Sequence, residues 1–166
     1  ALRCIGVRPA AIERTAMTFE PLPHRMTRVV ERDGVRYIDD SKATTLAALC
    51  AGVAMAGGPV RLIAGGLLKE KSADWAKEKL AKQVRRVYLI GKDADVLREA
   101  WCDAVDCLPC GTLETAVENA RRDARPGEVV LLSPGCASFD QFSGYAERGT
   151  RFAALASGIE QGGETK

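Results

Sequence analysis

No sign of charge dominates this chain, no apolar run is long, and the motifs that announce a bound phosphate are missing. Lysine and arginine number 24 against 22 aspartate and glutamate, a net charge of +2. So even a balance gives no electrostatic case for nucleic acid. No apolar stretch approaches the ~18 residues that a membrane span needs. The first residues, Ala1-Leu2-Arg3-Cys4-Ile5-Gly6, lack the long apolar core of a secretory leader. With no leader, the six cysteines read as free thiols of a reducing compartment, which points to the cytoplasm. A chain opening on Ala1 instead of Met reads as a piece of something longer. No G-x-x-x-x-G-K-S/T spacing is present, and no G-x-G-x-x-G follows a strand-like run. This weighs against a nicotinamide cofactor and against a triphosphate bound by this stretch alone. The only histidine is His24, far in sequence from the cysteines that a four-ligand zinc site would need. Internal repeats and low-complexity tracts are absent too.

What the chain does have is a regular alternation. At 166 residues, 46% hydrophobic and 28% charged, it is long enough for one domain with a good core. Residues 1–20 read as helix interrupted at Gly6 to Pro9, with Pro9 in the first turn of a second piece over 10–19. Pro21-Leu22-Pro23 is a stiff connector. Residues 26–31 and 35–38 form a hairpin, because Asp33-Gly34 between them is a type I′ turn signal. Helices over 45–56, 73–83, 94–101, 112–124 and 145–159 then alternate with strands over 60–64, 84–90, 104–108 and 129–132. Thr44 or Thr45, Ser72 and Thr112 can cap three of the helices. Gly57-Gly58-Pro59 stops the first of them. The polar tail, 161–166, reads as disordered. Strands separated by helices of this length make βαβ units with right-handed crossovers. The fold class that follows is α/β: a Rossmann-like, doubly wound, mostly parallel sheet with an antiparallel edge hairpin.

The loops after the strands carry the chemistry. The richest is Asp39-Asp40-Ser41-Lys42-Ala43-Thr44-Thr45, a strand-to-helix turn with two carboxylates, a lysine and three hydroxyls. Open α/β sheets bind ligands at the carboxyl ends of strands, and a helix start offers free N–H groups to an anion. Gly65-Gly66-Leu67-Leu68-Lys69 permits close backbone approach and ends on a point charge. Ser133-Pro134-Gly135-Cys136-Ala137-Ser138-Phe139-Asp140-Gln141-Phe142 follows the most hydrophobic strand. Its small residues admit a ligand to the backbone, and Ser138 can donate to a carboxylate. Cys136, with no base nearby in sequence, reads as a small packed hydrophobe. His24-Arg25 after the connector suits a phosphate or a carboxylate. The plain alternative for these stretches is a polar cap, a tight turn or a structural histidine. Cys107-Leu108-Pro109-Cys110 is a C-x-x-C and supports a rival, a thiol-redox or metal-binding module. A redox motif usually opens a helix, whereas this pair ends a weak strand. A binding module of the same fold without catalysis is a third reading.

Five stretches, in this order and spacing, resemble one family. They are Leu22-Pro23-His24-Arg25, Asp40-Ser41-Lys42-Ala43-Thr44, Gly65-Gly66-x-x-Lys69, Leu132-Ser133-Pro134-Gly135-Cys136-Ala137-Ser138-x-Asp140-Gln141-Phe142 and Arg148-Gly149-x-x-Phe152. Together they resemble the C-terminal domain of the bacterial Mur ligases, and among those the members that add D-glutamate. The resemblance covers residues 1–158. The chain departs from the pattern at Asp39 and Thr45, where asparagine is usual, at Gly135, where alanine is common, and in Leu67-Leu68. Two extra residues, Glu70 and Lys71, follow Lys69.

The resemblance implies an ATP-dependent acid–amino-acid ligase of peptidoglycan precursor synthesis. ATP phosphorylates the carboxylate of UDP-N-acetylmuramoyl-L-alanine. The amine of D-glutamate attacks the acyl phosphate, and phosphate leaves as the amide forms. The C-terminal domain presents D-glutamate and closes over the nucleotide. By position, Thr44 and Lys69 take the α-carboxylate, with Lys71 as the alternative to Lys69. Ser138 and the backbone near Phe139 and Tyr145 take the side-chain carboxylate. Lys42 lies near the reacting phosphate, Arg25 and Asp40 touch ATP, and His24 is beside them. Magnesium and most of the ATP site are expected in a central domain, of which residues 1–22 are the tail and linker. Residues 23–160 are then the C-terminal domain, inactive as an isolated fragment. Its macromolecular partners are the central and N-terminal domains of the same chain.

Overall fold

The computed structural model describes residues 6–18 and 22–158. The expectations for residues 1–5, for Pro21 and for the tail lie outside them. Six strands form one sheet: β1 (Thr27–Arg32), β2 (Val35–Asp39), β3 (Val60–Gly65), β4 (Val84–Ile90), β5 (Cys107–Gly111) and β6 (Val129–Leu132). Their order is β1-β2-β6-β3-β4-β5. β1 pairs antiparallel with β2, and the other pairings are parallel. Asp33 and Gly34 have φ values of 52° and 73°, the left-handed pair that a type I′ turn requires.

The helices are α1 (Pro9–Met17), α2 (Leu46–Met55), α3 (Lys77–Leu80), α4 (Ala94–Trp101), α5 (Leu113–Asp123) and α6 (Tyr145–Ser157). Thr45 caps α2 by accepting from Ala48 N at 3.3 Å, and Thr112 caps α5 by accepting from Thr115 N at 3.3 Å. Strand residues alternate between two cores. Ile38, Leu62, Leu89 and Leu131 join Leu49, Leu80 and Trp101 of α2, α3 and α4. Tyr37, Ile63, Tyr88 and Val130 join Val117 and Phe152 of α5 and α6. A parallel sheet covered on both faces needs continuously apolar strands, and Val129-Val130-Leu131-Leu132 is buried at every position.

Two expected elements are displaced. In place of a helix over 73–83 there is a 3-10 turn, Asp74–Ala76, and the single α-helical turn α3. Helix-favouring Lys and Glu are abundant there, but packing decides: the Trp101 indole donates to Ala73 O at 2.9 Å, and the chain must turn back at Leu80 to start β4. β5 begins three residues later than expected. Ala104 N and Val105 N both return to Trp101 O, so this segment closes α4 and does not extend. Pro109 then sits within β5, which is tolerated because β5 is an edge strand.

Register brings four strand ends to one rim. Asp39 lies opposite Leu132, Leu132 opposite Ile63, and Gly65 opposite Ile90. At the opposite end, where the strands begin, Arg61 Nε donates to Glu128 Oε2 at 2.8 Å. Nearby, Arg86 binds Asp106 and Asp123, and the Tyr88 hydroxyl donates to Asp123 at 2.9 Å.

Candidate functional site

The 39–45 turn is locked from both sides. Asp39 Oδ1 accepts from Ser41 N at 2.9 Å, and Asp39 Oδ2 lies 2.6 Å from His24 Nδ1. Asp40, also buried, accepts from Met26 N through Oδ1 and from the Ser133 hydroxyl through Oδ2 at 2.8 Å. Burial pushes the Asp40 carboxyl above its ordinary value, partly offset by those two hydrogen bonds. Two glycines permit this closeness. A Cβ at Gly149 on α6 would lie 2.2 Å from His24 Nδ1, and one at Gly52 on α2 would lie 2.6 Å from Asp40 Oδ2.

Behind the turn lies Arg148, a fully buried guanidinium from the first half of α6. It donates through Nε to Ser41 Oγ at 3.0 Å, and through a terminal nitrogen to Ser41 O at 2.9 Å and Cys136 O at 3.2 Å. A weaker contact reaches Gly65 O at 3.5 Å. One cation thus ties together the loops after β2, β3 and β6. Burial lowers its pKa to about 10, with Cys136, Asp140 and Asp39 pulling the other way. In the sequence Arg148 stands only as part of the Arg148-Gly149-x-x-Phe152 motif, with no role of its own. The available signal was an arginine four residues before Phe152, on the stripe that α6 buries.

The expected binding residues gather in groups. Lys69 Nζ donates to Thr44 Oγ1 at 3.2 Å, whereas Lys71 lines a separate cleft with Ser72, Asp74, Val96 and Glu99. Lys42 Nζ lies 5.3 Å from the Tyr145 ring centroid, and His24 meets the same ring edge-on. Ser138 is buried, while Phe139 beside it is 71% exposed. Arg25 and Asp40 share a cleft of about 420 Å³ with Met26, Ala48, Ala51 and Met55. Phe139 is not part of that cleft; it borders another, of about 580 Å³, with Leu67, Gly91 and Lys92.

The C-x-x-C pair does not form a thiol site. Residues three apart on a strand point to opposite faces, and Cys107 packs against one core while Cys110 packs against the other. Burial pushes the Cys107 thiol up to about 12 and raises Cys110 as well, the reverse of an activated pair. Among the described residues, no three histidine, cysteine or acidic side chains gather as metal ligands.

A mostly parallel sheet whose carboxyl-end rim collects cations, hydroxyls and tight glycine contacts defines an open α/β domain, the class that binds ligands at that rim. The family described as "Mur ligase, glutamate ligase domain" matches residues 24–136. The chain belongs to the Mur ligase family. It is 48% identical over 159 residues to the UDP-N-acetylmuramoylalanine–D-glutamate ligase of Rubrobacter xylanophilus, covering 93% of this chain and 36% of that protein. The enzyme of the same name from Desulfatibacillum aliphaticivorans is 43% identical over 141 residues, covering 85% and 31%. The chain therefore spans about a third of the length of the curated relatives it matches. The solved structure of a bifunctional folylpolyglutamate synthase/dihydrofolate synthase from Yersinia pestis, complexed with AMPPNP and manganese, shares the fold. Its TM-score is 0.61 at 23% identity, covering 90% of this chain and 35% of that one.

Proposed function

We propose that this chain is the C-terminal domain of an ATP-dependent ligase that joins D-glutamate to UDP-N-acetylmuramoyl-L-alanine in peptidoglycan precursor synthesis. The observation that carries the reading is the Lys69–Thr44 pair on the rim: an ammonium and a hydroxyl side by side, with no carboxylate on that lysine among the described residues. Both groups can turn to an incoming α-carboxylate. Ser138 and the N–H groups near Phe139 and Tyr145 take the side-chain carboxylate. With both carboxylates held, the amine is left to face the acyl phosphate, near Lys42, whose charge favours the phosphate oxygens. The neutral amine nitrogen forms the C–N bond as the bond from carbonyl carbon to phosphate oxygen breaks; phosphate departs with that electron pair, and the nitrogen gives up one proton, to the departing phosphate or to water.

Arg25 and Asp40, with His24 beside them, border the cleft assigned to ATP. Its alanine and methionine wall suits a flat base, and its carboxylate suits ribose hydroxyls. ATP brings the phosphoryl group, and magnesium is assigned to the preceding domain. Residues 1–22 are that domain's tail and linker, and 23–160 the ligase's C-terminal domain. A cytoplasmic location fits these substrates. No described helix is long and apolar enough to cross a membrane.

The test uses the full-length protein, with the central and N-terminal domains, together with ATP, magnesium and UDP-N-acetylmuramoyl-L-alanine, offering D-glutamate, L-glutamate, L-lysine or meso-diaminopimelate. Phosphate release is expected with D-glutamate alone. Equal release with another amino acid, or none with D-glutamate, overturns the reading.

A further inference from the structure

We propose that Glu70 positions Lys69: its carboxylate pins the 65–71 loop to the start of α2, and this tether sets the lysine against Thr44. The inference rests on the reading of Lys69 and Thr44 as ligands of the amino-acid substrate. Glu70 Oε1 accepts from Leu46 N at 3.0 Å, and Leu46 is the first residue of α2. Thr45 already accepts from Ala48 N, so each of the two side chains takes one of the free N–H groups of the helix start. A carboxylate there is also favoured by the helix dipole. Thr44, Thr45 and Leu46 are consecutive. The Glu70 contact therefore fixes the loop two residues from the hydroxyl that its own neighbour, Lys69, reaches at 3.2 Å.

On the other side of Lys69 the loop is held as well. Leu67 bridges Ala137 through both backbone groups, and Leu68 N donates to Asp93 Oδ2 at 2.7 Å. Lys69 is the exposed residue between two anchors. A long, flexible side chain on an untethered loop would visit many positions, and confining it carries an entropic cost at every binding event. The second Glu70 oxygen, Oε2, is buried with no hydrogen-bond partner among the described residues. The group is thus not placed for solvation or for an ion pair. What it contributes is the Leu46 contact.

The test is steady-state kinetics and thermal unfolding of the full-length protein, with the central and N-terminal domains, carrying Glu70→Asp, Glu70→Gln, Lys69→Ala, or Lys69→Ala with Glu70→Asp. Aspartate keeps the charge but falls one methylene short of Leu46 N. Glutamine keeps the reach and an acceptor oxygen. In Glu70→Asp, KM for D-glutamate is expected to rise about tenfold, with kcat and the KM for ATP within about twofold. Glu70→Gln is expected to stay within about threefold of the parent chain, and Glu70→Asp to add nothing in the Lys69→Ala background. A parental KM in Glu70→Asp beside an impaired Lys69→Ala overturns the tether, as do equal losses in Asp and Gln or additive losses in the double variant. A Glu70→Asp chain that no longer folds also overturns it, since the bond would then carry the fold and not the lysine. Unchanged D-glutamate kinetics in Lys69→Ala would remove the substrate reading of Lys69, and the tether with it.

Discussion

At the end of the sheet where the strands begin, Arg61 faces Glu128, and Arg86 faces Asp106 and Asp123. At the end where they finish, Arg25, Lys42, Lys69 and Arg148 have no carboxylate within ion-pair distance among the described residues. One rim joins charge to charge. The other rim keeps one histidine–carboxylate contact, His24 with Asp39, and holds three cations with neutral partners: carbonyls and a serine for Arg148, a hydroxyl for Lys69, an aromatic face for Lys42. A cation whose partner is a neutral dipole stays attractive to an incoming anion, whereas an ion pair has little field left to offer. The difference leaves Lys42 and Lys69 with charge to offer at one end, while the buried Arg148 anchors the loops beneath them.

The sharpest attack on this contrast is Arg148→Met. It would leave Ser41 O, Cys136 O and the Ser41 hydroxyl without their donor inside the protein, and a loss of about 3–5 kcal/mol is expected in urea unfolding. A loss below about 1 kcal/mol would mean that the rim does not depend on its buried cation. At the other end, Glu128→Ala strands Arg61 and should cost about 2–3 kcal/mol while leaving substrate kinetics unchanged. That loss should depend on pH. Burial alone would raise the Glu128 carboxyl, but the Arg61 hydrogen bonds, the Arg125 N–H and nearby arginines outweigh it and hold it below its ordinary value. Its contribution is then complete above the ordinary value of about 4.3 and is lost as pH falls through the lower folded-state value. Unfolding midpoints from pH 7 downward, with and without Glu128, check this.

Lys69→Ala tests the binding rim from the other direction. Losing one hydrogen bond to a charged group, about 1.5–3 kcal/mol, should raise KM for D-glutamate roughly ten- to a hundredfold. Stability should move by less than about 0.5 kcal/mol, because the side chain is exposed. The smallest effect is expected for Asp40→Asn. Burial raises the Asp40 carboxyl, so its ionised form opposes folding, and stability from this group is lost as pH rises through the folded value. Asparagine should therefore raise the unfolding midpoint at neutral pH, a gain that shrinks as pH falls toward the ordinary carboxylate value, while ATP binding weakens. Greater stability with unchanged ATP affinity would remove Asp40 from the nucleotide cleft.

The strands with continuous apolar runs, the Asp33-Gly34 turn and the Thr45 and Thr112 caps were legible in the sequence, because each depends on local chemistry. β5 and the 73–83 stretch were not. There, tertiary closure around Trp101 outweighed local propensity. The rim itself was legible as polar strand-end loops. The pairing of Thr44 with Lys69 was reached through family resemblance, since no local pattern links residues twenty-five apart. Arg148 escaped notice because a charge within a helix ordinarily marks its wet face, and nothing local says that four acceptors from distant loops await it.

Most of what Arg148 grips is main chain: the carbonyls of Ser41, Cys136 and Gly65. Every amino acid carries a carbonyl, so the anchor does not read the identity of most residues it secures. Side chains on the outer surface of these loops can be exchanged while the backbone beneath keeps its course. For protein engineering, this separates shape from selectivity. Under the proposed function, altering which amino acid is accepted becomes a matter of redecorating Thr44, Lys69 and Phe139 on a frame held from the inside, and libraries confined to those positions should return folded proteins at high frequency.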